Sequence, residues 1–302
     1  MNTDENVEEI RIDGQNTKKA YTGSLNNGIA QITIPAKSSD QYEIYVNQNR
    51  VHVWFNIGKV DVYLEQRNQE LKVTKVENSP VYQRQEKYFD SYLKFVKDTS
   101  TNADFIKKAI LENDQDAFVL VPLNHHLKLN QNDKNELEFV SRFLEKQPQS
   151  TKEHTIYKMI ENRLKKLTEV EKINLKEYQL IDINGSKTDI KTDSTRKYTV
   201  LDFWFTSCPP CIKDHDEISK NPNMFSDLNA ELIGLSTDNT QEKWISYLNK
   251  KKLVWTNYRI DLSTIGKDLG IWSFPTYIIL DENENILGNY SNIHETIRAL
   301  KK

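Results

Sequence analysis

Only two of the 302 residues are cysteine, which excludes a structural disulfide framework. No stretch approaches the roughly 18–20 apolar residues that a membrane-spanning helix needs, and no apolar signal core follows Met1. Neither sign of charge dominates: 41 Lys plus Arg against 44 Asp plus Glu leave a formal net charge of -3. That balance gives no argument for nucleic acid or an anionic membrane as partner. Hydrophobic residues at 37% and charged residues at 28% describe a soluble, polar-surfaced globular chain, long enough for two domains. Taken literally, the missing apolar leader implies a cytoplasmic protein. The polar start Met1-Asn2-Thr3-Asp4-Glu5-Asn6 fits equally well a mature tether from which a signal segment has been removed.

The two cysteines stand together. Val200-Leu201-Asp202-Phe203-Trp204-Phe205 is a strand-like apolar run, and Thr206-Ser207-Cys208-Pro209-Pro210-Cys211 follows it and opens a helix-like segment. Two cysteines separated by two residues can reach each other across a first helical turn, the arrangement that dithiol–disulfide exchange requires. Cys208 would sit at the helix N-terminus, with Pro209 suited to the first helical position. Unpaired N–H groups and the helix dipole there stabilise a thiolate, and thiol pKa values fall to about 3.5–7.5 in such places.

Up to Glu77 the pattern is of short alternating segments, 29–34, 42–46, 51–55, 59–64 and 71–74, separated by turn signals such as Asn26-Asn27-Gly28 and Asn47-Gln48-Asn49. They predict an antiparallel β-sandwich over 1–78. Tyr42, Tyr45, Trp54, Phe55 and Tyr63 fit core and cross-strand packing better than a binding cleft. The period becomes helical over 79–172, with apolar residues at three- and four-residue steps from Tyr88, Phe105, Leu137 and Ile156. This predicts four or five helices, with breaks near Thr101-Asn102, Asn113-Asp114, Pro122 and Pro148. His125-His126 point to different helical faces and have no partner at the metal-ligand spacing, so packing is favoured over metal. The helices are expected to connect the flanking domains and, with the β domain, to be the place for any homodimer contact.

From 173 the order is an Asn184-Gly185 hairpin, a strand over 197–205, the Cys helix, a strand over 231–237, a helix over 241–251, a hairpin of 275–280 with 285–290, and a helix over 293–300. The overall class is α/β.

Leu201-Asp202-Phe203-Trp204, Cys208-Pro209-Pro210-Cys211 and Ser273-Phe274-Pro275-Thr276 together resemble the thioredoxin-like, TlpA/ResA-type thiol–disulfide oxidoreductases of bacterial envelopes. The resemblance runs from about Leu175 to the C-terminus. Less specifically, the preceding part is similar to the β-rich domain of unknown function and the helical connector that often stand before such modules. The resemblance implies a thioredoxin-like domain over 173–302 and a location in the periplasm or cell envelope. It also implies a disulfide-containing protein as substrate, a membrane thiol donor upstream, and no cofactor beyond the cysteine pair.

By the same resemblance Pro275 is the cis-proline that meets the substrate backbone, and Phe274 lines the substrate groove together with Trp204, Ser207, Pro209 and Pro210. Asp202 is the buried acid that takes a proton from the resolving thiol. Asp214 stands where the family has a glutamate; it is one methylene shorter, and a solvated helix carboxylate is an equal alternative. Ser207 replaces a common Trp, and Phe205 a usual Gly. Cys208, Cys211 and His215 would supply three metal ligands, but no fourth is evident, so no metal is expected.

Three readings follow. The favoured one is an oxidoreductase in which Cys208 attacks and Cys211 resolves, acting as a reductant because Pro209-Pro210 brings no positive charge to hold a very acidic thiolate. A thiol peroxidase would want Thr or Ser three residues before the reactive cysteine and Pro seven before, where Phe205 and Leu201 stand. A non-catalytic binding protein on a thioredoxin-like scaffold is the third.

Overall fold

The computed structural model describes residues 2–3, 9–67, 70–98 and 103–302. Its contacts divide the chain into two compact units, Met1–Leu127 with Val140–Glu161, and Lys128–Phe139 with Asn162–Lys302. The polar start and the expected break at Thr101-Asn102 fall largely or wholly outside the described residues.

The first unit begins with β1 (Asn2–Thr3), β2 (Glu9–Gly14), β3 (Ala20–Ser24), β4 (Asp40–Val46), β5 (Asn49–Phe55), β6 (Asp61–Arg67) and β7 (Glu70–Glu77). They form two sheets, ordered β3-β2-β4-β5 and β1-β6-β7, antiparallel except for β1 beside β6. Period-two alternation turns Tyr42, Ile44 and Val46 inward from β4, where they meet Ile10, Val53, Phe55, Leu64 and Leu71 in a sandwich core. Trp54 points the other way. It is still buried, because Phe118 packs edge-on at 5.6 Å and Gln85 of α1 (Pro80–Lys97) accepts its backbone N–H at 2.7 Å.

The remaining helices are α2 (Asp104–Glu112), α3 (Leu120–Leu129), α4 (Lys134–Glu145), the single turn α5 (Gln149–Lys152) and α6 (Thr155–Glu169). Pro122 lies in the first turn of α3, where its missing N–H costs nothing. His125 has a packing role: its ring stacks on Tyr92 at 3.9 Å, and its Nδ1 meets the Tyr88 hydroxyl at 2.6 Å.

One expectation for this unit needs correction. Residues 29–34 form no strand; only an isolated bridge joins Ile29 to Asn26. Ala30, Ile32 and Ile34 do turn toward the core while their neighbours face solvent. Alternation thus reported the burial and not the pairing. Tyr63 is 46% exposed and packs only across its strand pair, against Lys75. Strands β2 and β3 were not foreseen, because each offers little apolar alternation of its own.

The second unit is built on a seven-stranded sheet of β8 (Gln179–Ile181), β9 (Lys187–Asp189), β10 (Tyr198–Trp204), β11 (Ala230–Ser236), β12 (Thr256–Arg259), β13 (Thr276–Asp281) and β14 (Ile286–Tyr290). Their order is β14-β13-β10-β11-β12-β8-β9, with β10, β11 and β12 parallel. Helices α7 (Pro209–Lys220), α8 (Gln241–Lys251) and α9 (Ile293–Leu300) complete the expected order. Strand β12, Thr-Asn-Tyr-Arg, was missed because a four-residue strand with one apolar side chain carries no period.

Strand β10 is buried on both faces, as its nearly continuous apolar run, interrupted by Asp202, requires. Leu201 and Phe203 enter one core with Ile233, Leu235 and Ile278; Val200 enters another with Ile218, Tyr277 and Ile293. Asp202 and Trp204 share the second face, the one that meets the cysteines. On the adjacent strand, Gly234 pairs with Asp202, and a Cβ there would run into the Asn257 amide oxygen and stand 3.1 Å from Trp204 Nε1. Gly234→Ala is therefore expected to lower stability by about 1–3 kcal/mol through overpacking. Urea unfolding read by tryptophan fluorescence measures it.

Candidate functional site

The site begins where β10 ends. The loop Phe205-Thr206-Ser207 is held by Asp238, whose carboxylate accepts the Thr206 N–H at 2.9 Å, the Thr206 hydroxyl at 2.7 Å and the Ser236 hydroxyl at 2.8 Å. Lys243 of α8 lies 3.6 Å from the same carboxylate and 3.5 Å from the Ser207 hydroxyl. With the loop fixed, Cys208 takes the N-cap position of α7 in an extended conformation, and Pro209 starts the helix. Cys208 Sγ accepts the Cys211 backbone N–H at 3.3 Å, and the two sulfurs form a disulfide with the Cα atoms 5.3 Å apart. A thiolate at that Sγ would keep this hydrogen bond and gain from the helix dipole, both of which favour ionisation.

Both cysteines are buried in a cluster with Trp204, Trp244 and Tyr247, while Ser207, Pro209 and Pro210 are exposed beside them. Phe274 packs half-buried against this cluster and meets Phe205 edge-on at 5.2 Å. The Phe274–Pro275 peptide bond is cis.

Beneath the pair, α7 turns Cys211, Asp214, His215 and Ile218 inward. Asp202 is fully buried, and its Oδ2 lies 3.0 Å from His215 Nε2; Oδ1 has no protein partner. His215 Nδ1 lies 3.1 Å from the Tyr247 hydroxyl. Asp214 Oδ2 accepts the Tyr277 hydroxyl at 3.2 Å and the Ile293 N–H, at the start of α9, at 3.1 Å. Burial outweighs these two bonds and raises the Asp214 pKa to about 6.

Residues 196–286 match a family model described as thioredoxin-like. The C-terminal unit carries a thioredoxin-like domain. A curated relative, the thioredoxin-like protein YneN of Bacillus subtilis, is 26% identical over 107 residues, a stretch that is 35% of this chain and 62% of the relative's length. The chain thus spans about three fifths of that relative. A thioredoxin domain of a thiol–disulfide oxidoreductase from Bacteroides vulgatus is 25% identical, covering 41% of this chain and 90% of that one, with a TM-score of 0.37. StoA from Bacillus subtilis is 18% identical, covering 41% and 96%, with a TM-score of 0.34.

Within the thioredoxin-like domain, the exposed Ser207, Pro209 and Pro210 and the half-buried Phe274 come together beside the buried Cys208–Cys211 disulfide. Trp204 does not line that surface: it is fully buried, its ring edge against His215 at 4.7 Å, and forms the floor beneath the disulfide. Asp214 is not a solvated helix carboxylate, because α9 covers it. The third metal-ligand candidate, His215, has both nitrogens engaged, and no group of three metal ligands occurs among the described residues. Asp238 went unnoticed in the sequence. Its only signal was Thr206-Ser207 standing before the cysteine with hydroxyl and N–H groups to satisfy.

Two outcomes test this geometry. Asp238→Ala leaves the Thr206 N–H and two hydroxyls without their acceptor. It should cost about 1–3 kcal/mol, read by thermal unfolding, and speed disulfide reduction by dithiothreitol. For Asp214, the folded pKa near 6 lies above the ordinary 3.8, so the folded state holds an extra proton between those values. Its contribution to stability is full below about pH 4 and is lost as pH rises through about 6, a change on the order of 3 kcal/mol. Asp214→Asn, which keeps both acceptor contacts, should flatten the stability profile across that window in urea titrations.

Proposed function

We propose that this protein is a thiol–disulfide oxidoreductase that reduces disulfides of other proteins through the Cys208–Cys211 pair. The observation that carries the reading is a disulfide at the N-terminus of α7, flanked in the chain by the exposed Ser207, Pro209 and Pro210. In the reduced form, Cys208 Sγ⁻ attacks one sulfur of the partner disulfide, whose S–S bond breaks so that the other sulfur leaves as a thiolate. Cys211 then loses its proton, attacks Cys208 Sγ and releases the second partner sulfur. The partner gains two electrons and two protons, and the cysteine pair becomes the disulfide. Asp202 serves as proton acceptor for Cys211, while Phe274 and Pro275 border the approach of the partner chain.

The reductive direction follows from local charge. Pro209-Pro210 bring none, and Lys243, the cation beside Ser207, is paired with Asp238. A reductant of this kind working in the periplasm or cell envelope draws its electrons from a membrane thiol donor, and we place the protein there. No helix among the described residues is long and apolar enough to cross a membrane.

The test is the reduction potential of the pair, by equilibration with dithiothreitol or glutathione and alkylation read by mass. A value near thioredoxin's, about −270 mV, supports the reductant, whereas one near about −120 mV reverses the direction. Cys211→Ser should trap a mixed disulfide with a protein substrate and Cys208→Ser should not. A pair that never cycles in the wild type returns the chain to the binding-protein reading.

A further inference from the structure

One buried titratable group below the cysteines has no part in the exchange as written. His215 is fully buried, four residues after Cys211 on the inward face of α7. Its ring meets the edges or faces of Trp204, Tyr247 and Trp255 at 4.7, 5.9 and 5.5 Å, and both of its nitrogens have partners. Polar groups placed this deep cost stability relative to an apolar side chain of the same volume, so packing alone is a weak account of a histidine here.

The tautomer follows from the neighbours. Burial, with Asp216, Asp202 and Asp238 adding to it, pushes the Tyr247 hydroxyl well above its ordinary pKa, so it keeps its proton and can donate to Nδ1. The histidine proton is then on Nε2, facing Asp202 Oδ2. The other groups near are Asp214 on the same helix and Tyr277 of β13, each of which interacts electrostatically with Asp202, and Asp216, paired with Lys251 of α8. Among these, His215 alone donates a hydrogen bond to the Asp202 carboxylate. It leaves Oδ1 buried and unoccupied.

We propose that His215, oriented by Tyr247, is the positioning residue of the exchange reaction. It donates Nε2–H to Asp202 Oδ2, which holds that carboxylate in one orientation with its Oδ1 free to accept the proton of Cys211. The proton passes from Cys211 Sγ to Asp202 Oδ1 as the Cys211–Cys208 bond forms and the bond from Cys208 to the partner sulfur breaks. The electron pair leaves on the partner sulfur, and the proton on Asp202 is released to that thiolate or to solvent. The inference rests on the dithiol reading above.

The test uses the reduced full-length chain and the chromogenic aromatic disulfide 5,5′-dithiobis(2-nitrobenzoate), followed by stopped flow across pH. Attack by Cys208 releases one thionitrobenzoate, and resolution by Cys211 releases the second. In His215→Leu the midpoint of the second release should move up by at least about one pH unit, a roughly tenfold loss of rate below it, because the Cys211 proton must then go to hydroxide rather than to an aligned Asp202 Oδ1. His215→Gln, whose amide N–H can still reach toward Asp202, should restore most of the profile. Asp202→Asn should give the same profile with or without His215→Leu. Should His215→Leu fail to fold, Tyr247→Phe keeps the packing and should shift the midpoint the same way by less.

Superimposable wild-type and His215→Leu profiles overturn the proposal. So does a uniform loss at every pH shared by the Leu and Gln variants, and so does an unshifted Tyr247→Phe where the Leu variant is unfolded. If the wild type releases only one thionitrobenzoate, the dithiol reading fails instead.

Discussion

A helix can offer its unpaired N–H groups to a sulfur only if the chain entering it is held in one conformation, and here Asp238 does the holding. Its carboxylate stands just beyond β11 and takes two hydrogen bonds from Thr206, at the corresponding end of β10. Because the two strands run parallel and in register from Tyr198 beside Ala230 to Trp204 beside Ser236, their ends lie side by side. The loop after one can therefore be fastened to the loop after the other. Cys208 is in place at the start of α7 as a consequence of that pairing, and its sulfur meets the Cys211 N–H as a consequence of its place.

Below that clamp the domain buries more polar chemistry than a small core tolerates without arrangement. Asp202, Asp214, His215 and Tyr277 all lie inside, and each shares at least one hydrogen bond with a neighbour. Two separate networks result. Asp202, His215 and Tyr247 join β10, α7 and α8, whereas Asp214, Tyr277 and Ile293 join α7, β13 and the start of α9. The second couples a raised carboxylate pKa to the docking of α9, and the first leaves one buried oxygen of Asp202 without a protein partner. Low dielectric makes each unpaired group expensive, so each network also constrains which helix packs where.

Substitutions at the rim have a physical counterpart as well. Phe205, where a glycine is usual in the resembling family, packs edge-on against Phe274, the residue before the cis-proline. The added ring closes volume beside the disulfide. Ser207, where a Trp is common, leaves the opposite side polar and within reach of Lys243. The rim is thus apolar at one end and polar at the other.

By itself, the sequence determined the local chemistry and, β12 apart, the element order of the second half. A Cys-Pro-Pro-Cys after an apolar strand, a Phe-Pro before another, and alternation or helical period over 7 to 11 residues are signals carried by neighbours in the chain, and they placed β10, β11, α8, α9 and the start of α7 within a residue or two. It also marked a β-rich first part, through β4 to β7. What it could not hold was partnership between distant residues. Whether 29–34 pairs, whether Trp204 faces a groove or a core, and whether Asp214 meets water or α9 are decided by what the other elements bring to them. Short strands such as β12 carry too few side chains to show a period. Asp238 and His215 were ordinary polar residues until the ends of β10 and β11 and the inner face of α7 gave them a carboxylate, a hydroxyl or an N–H to bind. Burial and hydrogen-bond satisfaction are properties of the packed molecule, and only the tertiary structure assigns them.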